Sequence, residues 1–405
     1  MSIYLNSLGM ICPLGHTNDA IRARLFAGQS GVLPDLSRRN PAGQALALGA
    51  LAADIALPGD EHLPLRERSR NTRIALAALA AIRTEVDAAI ARFGAHRVGI
   101  VLGTSTSGIA EGEHAFRHRS PGSHGDSNGC AFPAGYHYGQ QELGSPAAAL
   151  AATLGTGGPA YVHSSACSSS GKAMASAARL LNMGLCDAVI CGGVDSLCDF
   201  TVAGFSALES VSAERCNPLS VNRHGINIGE GAALFLMSRD NARVALSGWG
   251  ESSDAHHISA PDPEGHGAAL AIAQALQRAG LQAAQIDYIN LHGTATPQND
   301  AMESKVLHAL FGAGVPVSST KPFTGHTLGA ASAIEAGLCW LAMQDDNHAG
   351  LLPPHLWDGV ADPALPVLDV AAAGRALGHA PRHVLSNSFA FGGSNVALVL
   401  SRVED

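Results

Sequence analysis

Long apolar runs are missing from this chain of 405 residues, because no uninterrupted stretch reaches the ~18 residues of a membrane-spanning helix. The first thirteen residues carry no basic residue ahead of their apolar run and no convincing cleavage site, so no secretory signal is expected. The eight cysteines include no CxxC pair and are typical of reduced thiols in a chain of this size. These absences predict a cytoplasmic protein without a membrane span.

Charge is also sparse, at 15% of residues against 46% hydrophobic, which predicts a compact enzyme with much buried surface. A net charge of −9 argues against nucleic-acid binding over the whole surface. No phosphate loop or dinucleotide fingerprint follows a predicted strand. Four histidines, His224, His256, His257 and His266, lack acidic or cysteine partners at ligand spacing, so no metal site is predicted.

Short β-branched segments alternate with alanine-rich stretches, a pattern that predicts an α/β fold with a mainly parallel, covered sheet. The predicted strands are residues 98–102, 160–163, 188–191, 233–237, 288–291, 315–318, 384–387 and 395–400. The predicted helices are residues 73–92, 145–154, 171–183, 267–279, 301–310 and 330–344. We expect two comparable halves, 1–245 and 246–405, that share one core, because no linker composition separates them.

The most informative residue is Cys167, which lies in a turn of small residues at 165–171 that leads into a predicted helix. Small neighbours let a substrate approach the sulfur, and free N–H groups at a helix start favour the thiolate. Such positions lower a thiol pKa from about 8.5 into a range of roughly 3.5–7.5. A single cysteine is more often an inert core thiol, so this interpretation depends on its companions.

Two further turns of small residues carry histidine. His292 lies in the segment 291–297, and His326 lies in the segment 321–330. A thiol with histidines far along the sequence is a nucleophile-plus-base pattern if the fold brings the three together.

Together these segments resemble the active site of the β-ketoacyl-(acyl carrier protein) synthases, the elongating condensing enzymes of thiolase fold with a Cys-His-His site. The resemblance extends over nearly the whole chain, from residues 3–15 to the turn at 387–395. It implies thiolase-like duplicated βαβαβαββ halves that form a layered α-β-α-β-α core. The first half would carry the nucleophile and the second half both histidines.

The same resemblance implies a decarboxylative Claisen condensation of malonyl-ACP, where ACP is acyl carrier protein, with an enzyme-bound acyl group to give 3-oxoacyl-ACP. Cys167 would hold the acyl group as a thioester. His292 and His326 would stabilise the enolate oxygen formed on decarboxylation, as neutral donors in a dry pocket. The backbone N–H groups of Cys167 and Phe391 would form the oxyanion hole for the acyl intermediate.

Further residues take roles from the resemblance. Lys321 and Glu303 match a buried ion pair beside the histidines. Thr294 and Thr296 match hydroxyls that hold the phosphopantetheine arm carried by the ACP substrate, while no cofactor is expected on the enzyme itself. Gly392 and Gly393 form a turn that lets the main chain approach the substrate closely.

Alternatives remain at the level of role, partner and pathway. A non-catalytic chain-length-controlling partner has the same fold but typically lacks the nucleophile, so retention of Cys167 favours an enzyme. A degradative thiolase would need a second cysteine late in the chain, where Ser394 and Asn395 stand instead. The subunit would form a homodimer, or a heterodimer with a paralogous chain-length-factor subunit.

Fatty acid synthesis and accessory polyketide or polyene synthesis, for example of aryl polyene pigments, both fit the reaction. The resemblance places residues of the dimer interface and the acyl tunnel at 126–138. Tyr136, His137 and Tyr138 in this segment are more polar than a plain fatty-acyl tunnel needs, which favours the accessory pathway. A basic cluster before a predicted helix fits either an ACP docking site or a solvated helix entrance. It consists of Arg66, Arg68, Arg70 and Arg73.

Overall fold

The computed structural model describes residues 2–40, 42–121 and 130–403. Its strands are β1 Tyr4–Ile11, β2 Leu33–Arg39, β3 Ala45–Leu48, β4 Val98–Gly103, β5 Ser120–Pro121, β6 Cys130–Ala131, β7 Ala160–His163, β8 Ala188–Asp195, β9 Gly231–Ser238, β10 Val244–Ser253, β11 Tyr288–Asn290, β12 Pro316–Ser318, β13 Asp369–Val370, β14 His383–Ala390 and β15 Ser394–Arg402. Its helices are α1 Asn18–Phe26, α2 Arg70–Ala80, α3 Arg83–Phe93, α4 Ile109–Arg117, α5 Ser145–Leu154, α6 Ser169–Asn182, α7 Asp199–Ala207, α8 His266–Ala279, α9 Pro297–Phe311, α10 Lys321–Thr324 and α11 Ala331–Ala342. No helix in these ranges is long and apolar enough to cross a bilayer.

The large sheet is an internal duplication. Its strand order is β13-β12-β11-β14-β15-β10-β1-β9-β8-β4-β7. The five strands β7-β4-β8-β9-β1 and the five strands β12-β11-β14-β15-β10 repeat one order, with two parallel pairs followed by two antiparallel pairs. The two halves meet where Tyr4 of β1 pairs with Ala245 of β10. The predicted division at residues 245 and 246 falls inside β10 and stays a prediction.

Five layers follow from how the helices cover the two half-sheets. Helices α6 and α11 contact each other, and α6 packs on β4 and β8 while α11 packs on β14. Helix α11 is almost entirely buried, whereas α6 leaves one polar face partly exposed, formed by Lys172, Ser176, Arg179 and Asn182. Outside them, α2 and α5 cover the first half-sheet, and α8 and α9 cover the second. The expected α/β fold with layered α-β-α-β-α architecture is confirmed. The prediction of a mainly parallel sheet is wrong, because five of the ten strand pairs in the large sheet are antiparallel.

The predicted elements agree well with the observed ones, with one clear correction. Each of the eight predicted strands overlaps a strand, and β7 and α5 have the predicted bounds. The single helix predicted at 73–92 is wrong, because α2 and α3 are separate. Between them Ile82 adopts φ −120° and ψ 14°, outside the helical region, with its side chain buried in the core.

The fold collects functional side chains at one end of the parallel strands. Cys167 follows β7, His292 follows β11, Lys321 follows β12, and Phe391 follows β14. In open α/β sheets, sites form outside the carboxyl ends of the strands. Close packing is needed there, since a Cβ atom on Gly103, the last residue of β4, would lie 2.2 Å from the backbone nitrogen of Ser170 in α6.

Candidate active site

Cys167 lies on a strained turn at the start of α6. The preceding residue, Ala166, has φ 51°, a left-handed conformation that is costly without glycine and that clusters at functional sites. The side chain of Cys167 is buried, at 4% exposure, and its Sγ lies 2.9 Å from Nε2 of His326. The backbone N–H of Phe391 donates a hydrogen bond to the same sulfur.

Burial governs the protonation of this thiol. It raises the pKa of Cys167 to about 12, and the lowering effects of the Lys321 charge and of the Phe391 N–H are smaller. The expectation of a lowered pKa for Cys167 is therefore wrong. A helix start favours the thiolate, but the cost of desolvating a charge at this depth is larger. The resting site holds a neutral thiol.

The two histidines are neutral donors at the same depth. Burial lowers the pKa of both His292 and His326 well below the usual value, and the nearby charge of Lys321 lowers it further. Their rings are 5.6 Å apart and nearly perpendicular. Nδ1 of His292 lies 3.4 Å from Nζ of Lys321, whose ammonium can only donate, so Nε2 of His292 carries the proton.

The predicted ion pair is corrected by the structure. Lys321 forms its salt bridge with Glu335 of α11, and its ammonium also donates to the carbonyl of His292. Glu303 instead accepts hydrogen bonds from the backbone N–H groups of His292 at 2.8 Å and Gly293 at 2.7 Å. Burial raises the pKa of Glu303 to about 7. Glu303 thus orients the main chain at His292, and Glu335 holds the cation.

Sequence reasoning missed Glu335, although a signal was present. It is an acidic residue inside α11, a helix that is otherwise apolar and buried. A charged group in such a helix needs a partner, because an unpaired buried charge is costly.

Thr294 and Thr296 present a pair of hydroxyls to the cavity. Their Oγ1 atoms lie 2.9 Å apart, and both side chains are buried. Ala295 between them has φ 64°, and Leu328, two residues after His326, has φ 49°. Left-handed residues without glycine therefore stand beside each catalytic segment, a concentration of strain that is characteristic of functional sites.

The Phe391 turn borders the cavity. The ring of Phe391 lies 5.5 Å from that of Phe205 in α7. Gly392 and Gly393 have φ 81° and 72°, and a Cβ atom on Gly393 would lie 2.8 Å from Cβ of Asp254. Both positions favour glycine for its positive φ, and Gly393 also lacks room for a side chain.

One cavity contains most of the predicted site. Its walls include Cys167, Phe205, Ser259, His292, Thr294, Thr296, Asn299, His326, Phe389 and Phe391. Tyr136, His137 and Tyr138 do not line it, and Tyr138 is largely exposed, so their polarity says nothing about this pocket. Residues 126–129 of the predicted tunnel segment lie outside the described residues.

The basic cluster is largely engaged within the fold. Arg70 makes a two-point contact with the buried carboxylate of Glu230, at 2.9 and 2.6 Å. Arg68 and Arg73 donate to backbone carbonyls, whereas the side chain of Arg66 is 65% exposed. None of the four lines the cavity. Arg68, Arg70 and Arg73 therefore also hold local structure, and a docking role for the cluster stays a prediction.

The three reactive groups also have metal-ligand geometry. The ligand atoms of Cys167, His292 and His326 lie within 4.8 Å of one another, and this is the only such group of three in the described part of the chain. A thiolate and two neutral imidazoles suit Zn²⁺. Such an ion would occupy the nucleophile and both donors, so we assign the triad to catalysis.

The fold and the site define a thiolase-like enzyme with a thiol nucleophile beside two neutral imidazoles. The family model for the beta-ketoacyl synthase N-terminal domain matches residues 2–242, and that for the C-terminal domain matches residues 244–356. The chain belongs to the beta-ketoacyl synthase family. The recognition and the enzyme class expected from the sequence are confirmed.

Characterised relatives align over the full chain. A 3-oxoacyl-[acyl-carrier-protein] synthase 2 of Synechocystis sp. is 30% identical over 99% of this chain and 98% of its own length. Nodulation protein E of Rhizobium sp. is also 30% identical, over 99% of both chains.

Solved structures are similar over the same extent. A ketosynthase (ApeO) in complex with its chain length factor (ApeC) from Xenorhabdus doucetiae is 45% identical, with TM-score 0.89 over 99% of this chain and 98% of that one. The ishigamide ketosynthase/chain length factor is 26% identical, with TM-score 0.86 over 100% and 99%.

Proposed function

We propose that this protein catalyses the decarboxylative condensation of malonyl-ACP with an acyl group held on Cys167, giving 3-oxoacyl-ACP and CO₂. The observation that carries the proposal is the convergence, in one cavity, of the Cys167 sulfur, two neutral imidazoles and the Phe391 N–H. The first two steps of the reaction need a nucleophile and then oxyanion donors, and both are present.

Acyl transfer begins with attack of the Cys167 sulfur on the thioester carbonyl of acyl-ACP. The thiol has a raised pKa, so its proton must leave as the attack proceeds, and Nε2 of His326 is 2.9 Å away. The N–H groups of Cys167 and Phe391 donate to the oxygen of the tetrahedral intermediate. The bond to the pantetheine sulfur then breaks, and that thiolate leaves with the proton.

Condensation follows on malonyl-ACP. The carbon–carbon bond to the malonyl carboxylate breaks, CO₂ leaves, and the electron pair moves onto the thioester oxygen as an enolate. His292, with its proton fixed on Nε2 by Lys321, donates to that oxygen. His326 donates to it from the tautomer that carries the proton on Nε2, which differs from the tautomer that accepts the thiol proton. The enolate carbon attacks the acyl carbonyl, and the bond to the Cys167 sulfur breaks. The Cys167 thiolate then takes up a proton from solvent, the one proton that the overall condensation consumes.

We assign the pantetheine arm of the ACP substrate to the hydroxyls of Thr294 and Thr296. Both hydroxyls line the cavity, and their oxygens lie 2.9 Å apart. One hydroxyl can therefore accept a hydrogen bond from the arm while the other donates one to it. The enzyme would then need no cofactor of its own, because the arm arrives with the substrate.

For the pathway, we place the enzyme in accessory polyketide or polyene synthesis. The support is the 45% identity to a ketosynthase that is solved with a chain length factor, against 30% to the 3-oxoacyl synthase of Synechocystis. The same comparison supports a heterodimer with a chain-length-factor subunit. We propose the cytoplasm as the compartment, since seven of the eight cysteines are free thiols.

A reconstituted assay tests the proposed reaction. Wild-type enzyme incubated with acyl-ACP and malonyl-ACP should form 3-oxoacyl-ACP, detected by mass spectrometry of the carrier. Cys167→Ser and His326→Ala should form none above background. Cys339→Ala, which removes a buried thiol in α11 outside the cavity, should retain wild-type turnover. Product formation by Cys167→Ser would refute the assignment.

A copurification experiment tests the partner separately. The subunit expressed alone should turn over slowly or form aggregates, whereas coexpression with a paralogue lacking the thiol should give a stable one-to-one complex with restored turnover. Full activity of a homodimer would remove the heterodimer proposal and leave the reaction intact.

A further inference from the structure

The two proposed oxyanion donors come from opposite halves of the molecule. The N–H of Cys167 belongs to the turn before α6, and the N–H of Phe391 belongs to the turn between β14 and β15. Two donors stabilise an oxyanion only if their separation is held to a fraction of an ångström. Some contact between the two turns must therefore fix that separation.

A chain of polar side chains joins the two turns behind the nucleophile. Nζ of Lys172 donates to Oγ of Ser394 at 2.5 Å, and Oγ of Ser168 lies 3.0 Å from the same oxygen. The Ser168 hydroxyl also donates to the carbonyl of Ser165 at 2.8 Å. Ser168 is the neighbour of Cys167, and Ser394 follows Gly393. The hydrogen bonds thus connect Lys172 in α6 to Ser394 at the start of β15, and Ser394 to Ser168 beside the nucleophile.

Lys172 is suited to anchor this chain. It is a half-buried lysine in the first turn of α6, and burial lowers the pKa of its ammonium. Within residues 2–40, 42–121 and 130–403, its ammonium has one hydrogen-bond partner, the Ser394 hydroxyl. The negative charge of Glu251 and the positive charge of Arg179 act on Lys172 in opposite directions, and these two residues form a salt bridge with each other. A charged donor makes a stronger hydrogen bond than a neutral one, so Ser394 is held firmly.

We propose that Lys172 is a positioning residue for the oxyanion hole, because it ties Ser394 to the start of α6 and thereby fixes the Phe391 turn against Cys167. This inference rests on the proposed function. Lys172 does not line the cavity and touches no reacting atom, so it acts only through the two turns.

The proposal separates the two half-reactions. Acyl transfer uses the two backbone donors. Decarboxylation of malonyl-ACP uses His292, which Lys321 and Glu303 hold, and His326, whose backbone N–H donates to the carbonyl of Asn227. Loss of one oxyanion donor costs about 10²–10³ in rate. A donor that is displaced, not removed, should cost less. We therefore expect acyl transfer to slow by about 10-fold to 100-fold when the Lys172 anchor is lost.

The test compares Lys172→Met with Lys305→Met in the full-length protein. Lys305 is an exposed lysine that pairs with Glu264 and has no hydrogen bond to either turn, so its variant controls for loss of one positive charge. The rate of acyl transfer from acyl-ACP to Cys167 is measured by rapid quench and intact-protein mass spectrometry. The rate of CO₂ release from malonyl-ACP without acyl donor is measured in parallel.

Lys172→Met should slow acyl transfer by 10-fold or more and leave CO₂ release within about twofold, while Lys305→Met should change neither. Ser394→Ala should slow acyl transfer by the same factor, and adding it to Lys172→Met should have little further effect, because the two residues share one contact. Ser394→Ala also keeps the proposal open to refutation if Lys172→Met does not fold.

Three results would overturn or redirect the interpretation. Acyl transfer at the wild-type rate in both variants would refute the role of Lys172. Equal losses in both half-reactions would show a general structural role and refute it as well. Failure of the wild-type enzyme to acylate Cys167 would instead refute the proposed function.

Discussion

At the scale of single residues, burial decides the chemistry of this site. Cys167, His292 and His326 are each less than 5% exposed, and this depth keeps the thiol protonated and both imidazoles neutral. Cysteine–histidine sites can instead rest as thiolate and imidazolium. Here the neutral pair suits imidazoles that must donate to an enolate oxygen without carrying charge.

The protonation state of Cys167 predicts how the rate of thiol alkylation depends on pH. Alkylation of Cys167 by iodoacetamide, followed at the level of its peptide, should accelerate about tenfold per pH unit from pH 6 to 9, because a thiol of pKa about 12 gains thiolate in that proportion. Cys167→Ala gives the background. A rate that is constant across this range would indicate a resting thiolate and contradict the account.

The Lys321–Glu335 pair gives a second prediction at this scale. Lys321→Ala should lower the free energy of unfolding by about 3–5 kcal/mol, because Glu335 is left as an unpaired buried charge. Burial raises the pKa of Glu335, so the unfolded state loses that proton more readily. The decrease in unfolding free energy caused by Lys321→Ala should therefore be larger at high pH and smaller at low pH, where the Glu335 carboxyl is protonated.

The matched double variant Lys321→Met with Glu335→Leu separates stability from activity. It should recover most of the unfolding free energy measured in urea, since no unpaired charge remains. Turnover should stay low, because Nδ1 of His292 loses the donor that fixes its proton on Nε2. Full recovery of turnover would show that Lys321 serves stability alone.

At the scale of elements, the position of the site followed from the pattern of strands. Cys167 and His292 come shortly after predicted strands, and carboxyl ends of parallel strands share one edge, whereas His326 follows the short helix α10. Glu335 could not be paired with Lys321 from the sequence, because that contact depends on how α11 packs between the half-sheets. The raised pKa of Cys167 also escaped prediction, since local sequence shows the helix start but not the depth of burial.

Packing at the start of α6 predicts an effect for a small substitution. Gly103→Ala would place a Cβ atom 2.2 Å from the nitrogen of Ser170, so backbone must shift and about 1–3 kcal/mol of stability should be lost. Turnover should fall too, because Cys167 is carried by the same turn. Gly204→Ala, in α7 with open space around it, should be neutral or slightly stabilising. If Gly103→Ala and Gly204→Ala had equal effects on thermal unfolding and on turnover, this packing argument would be contradicted.

At the scale of the whole molecule, duplication brings equivalent strand ends together. Cys167 follows β7, and Lys321 follows its counterpart β12 in the second half-sheet. Phe391 follows β14, whose counterpart β8 ends at Asp195, a buried carboxylate that accepts a hydrogen bond from the backbone N–H of Gly329 near His326. The catalytic groups meet because the carboxyl ends of the parallel strands of both half-sheets lie on the same side of the molecule, with α6 and α11 packed between the half-sheets.

Mapping of the acyl group on the protein tests the central claim most directly. Wild-type enzyme is incubated with acyl-ACP alone, and its peptides are analysed by mass spectrometry. The account predicts one acyl adduct, on Cys167, which malonyl-ACP discharges as 3-oxoacyl-ACP and which Cys167→Ala lacks. An adduct on another residue, or turnover without any adduct on Cys167, would contradict it.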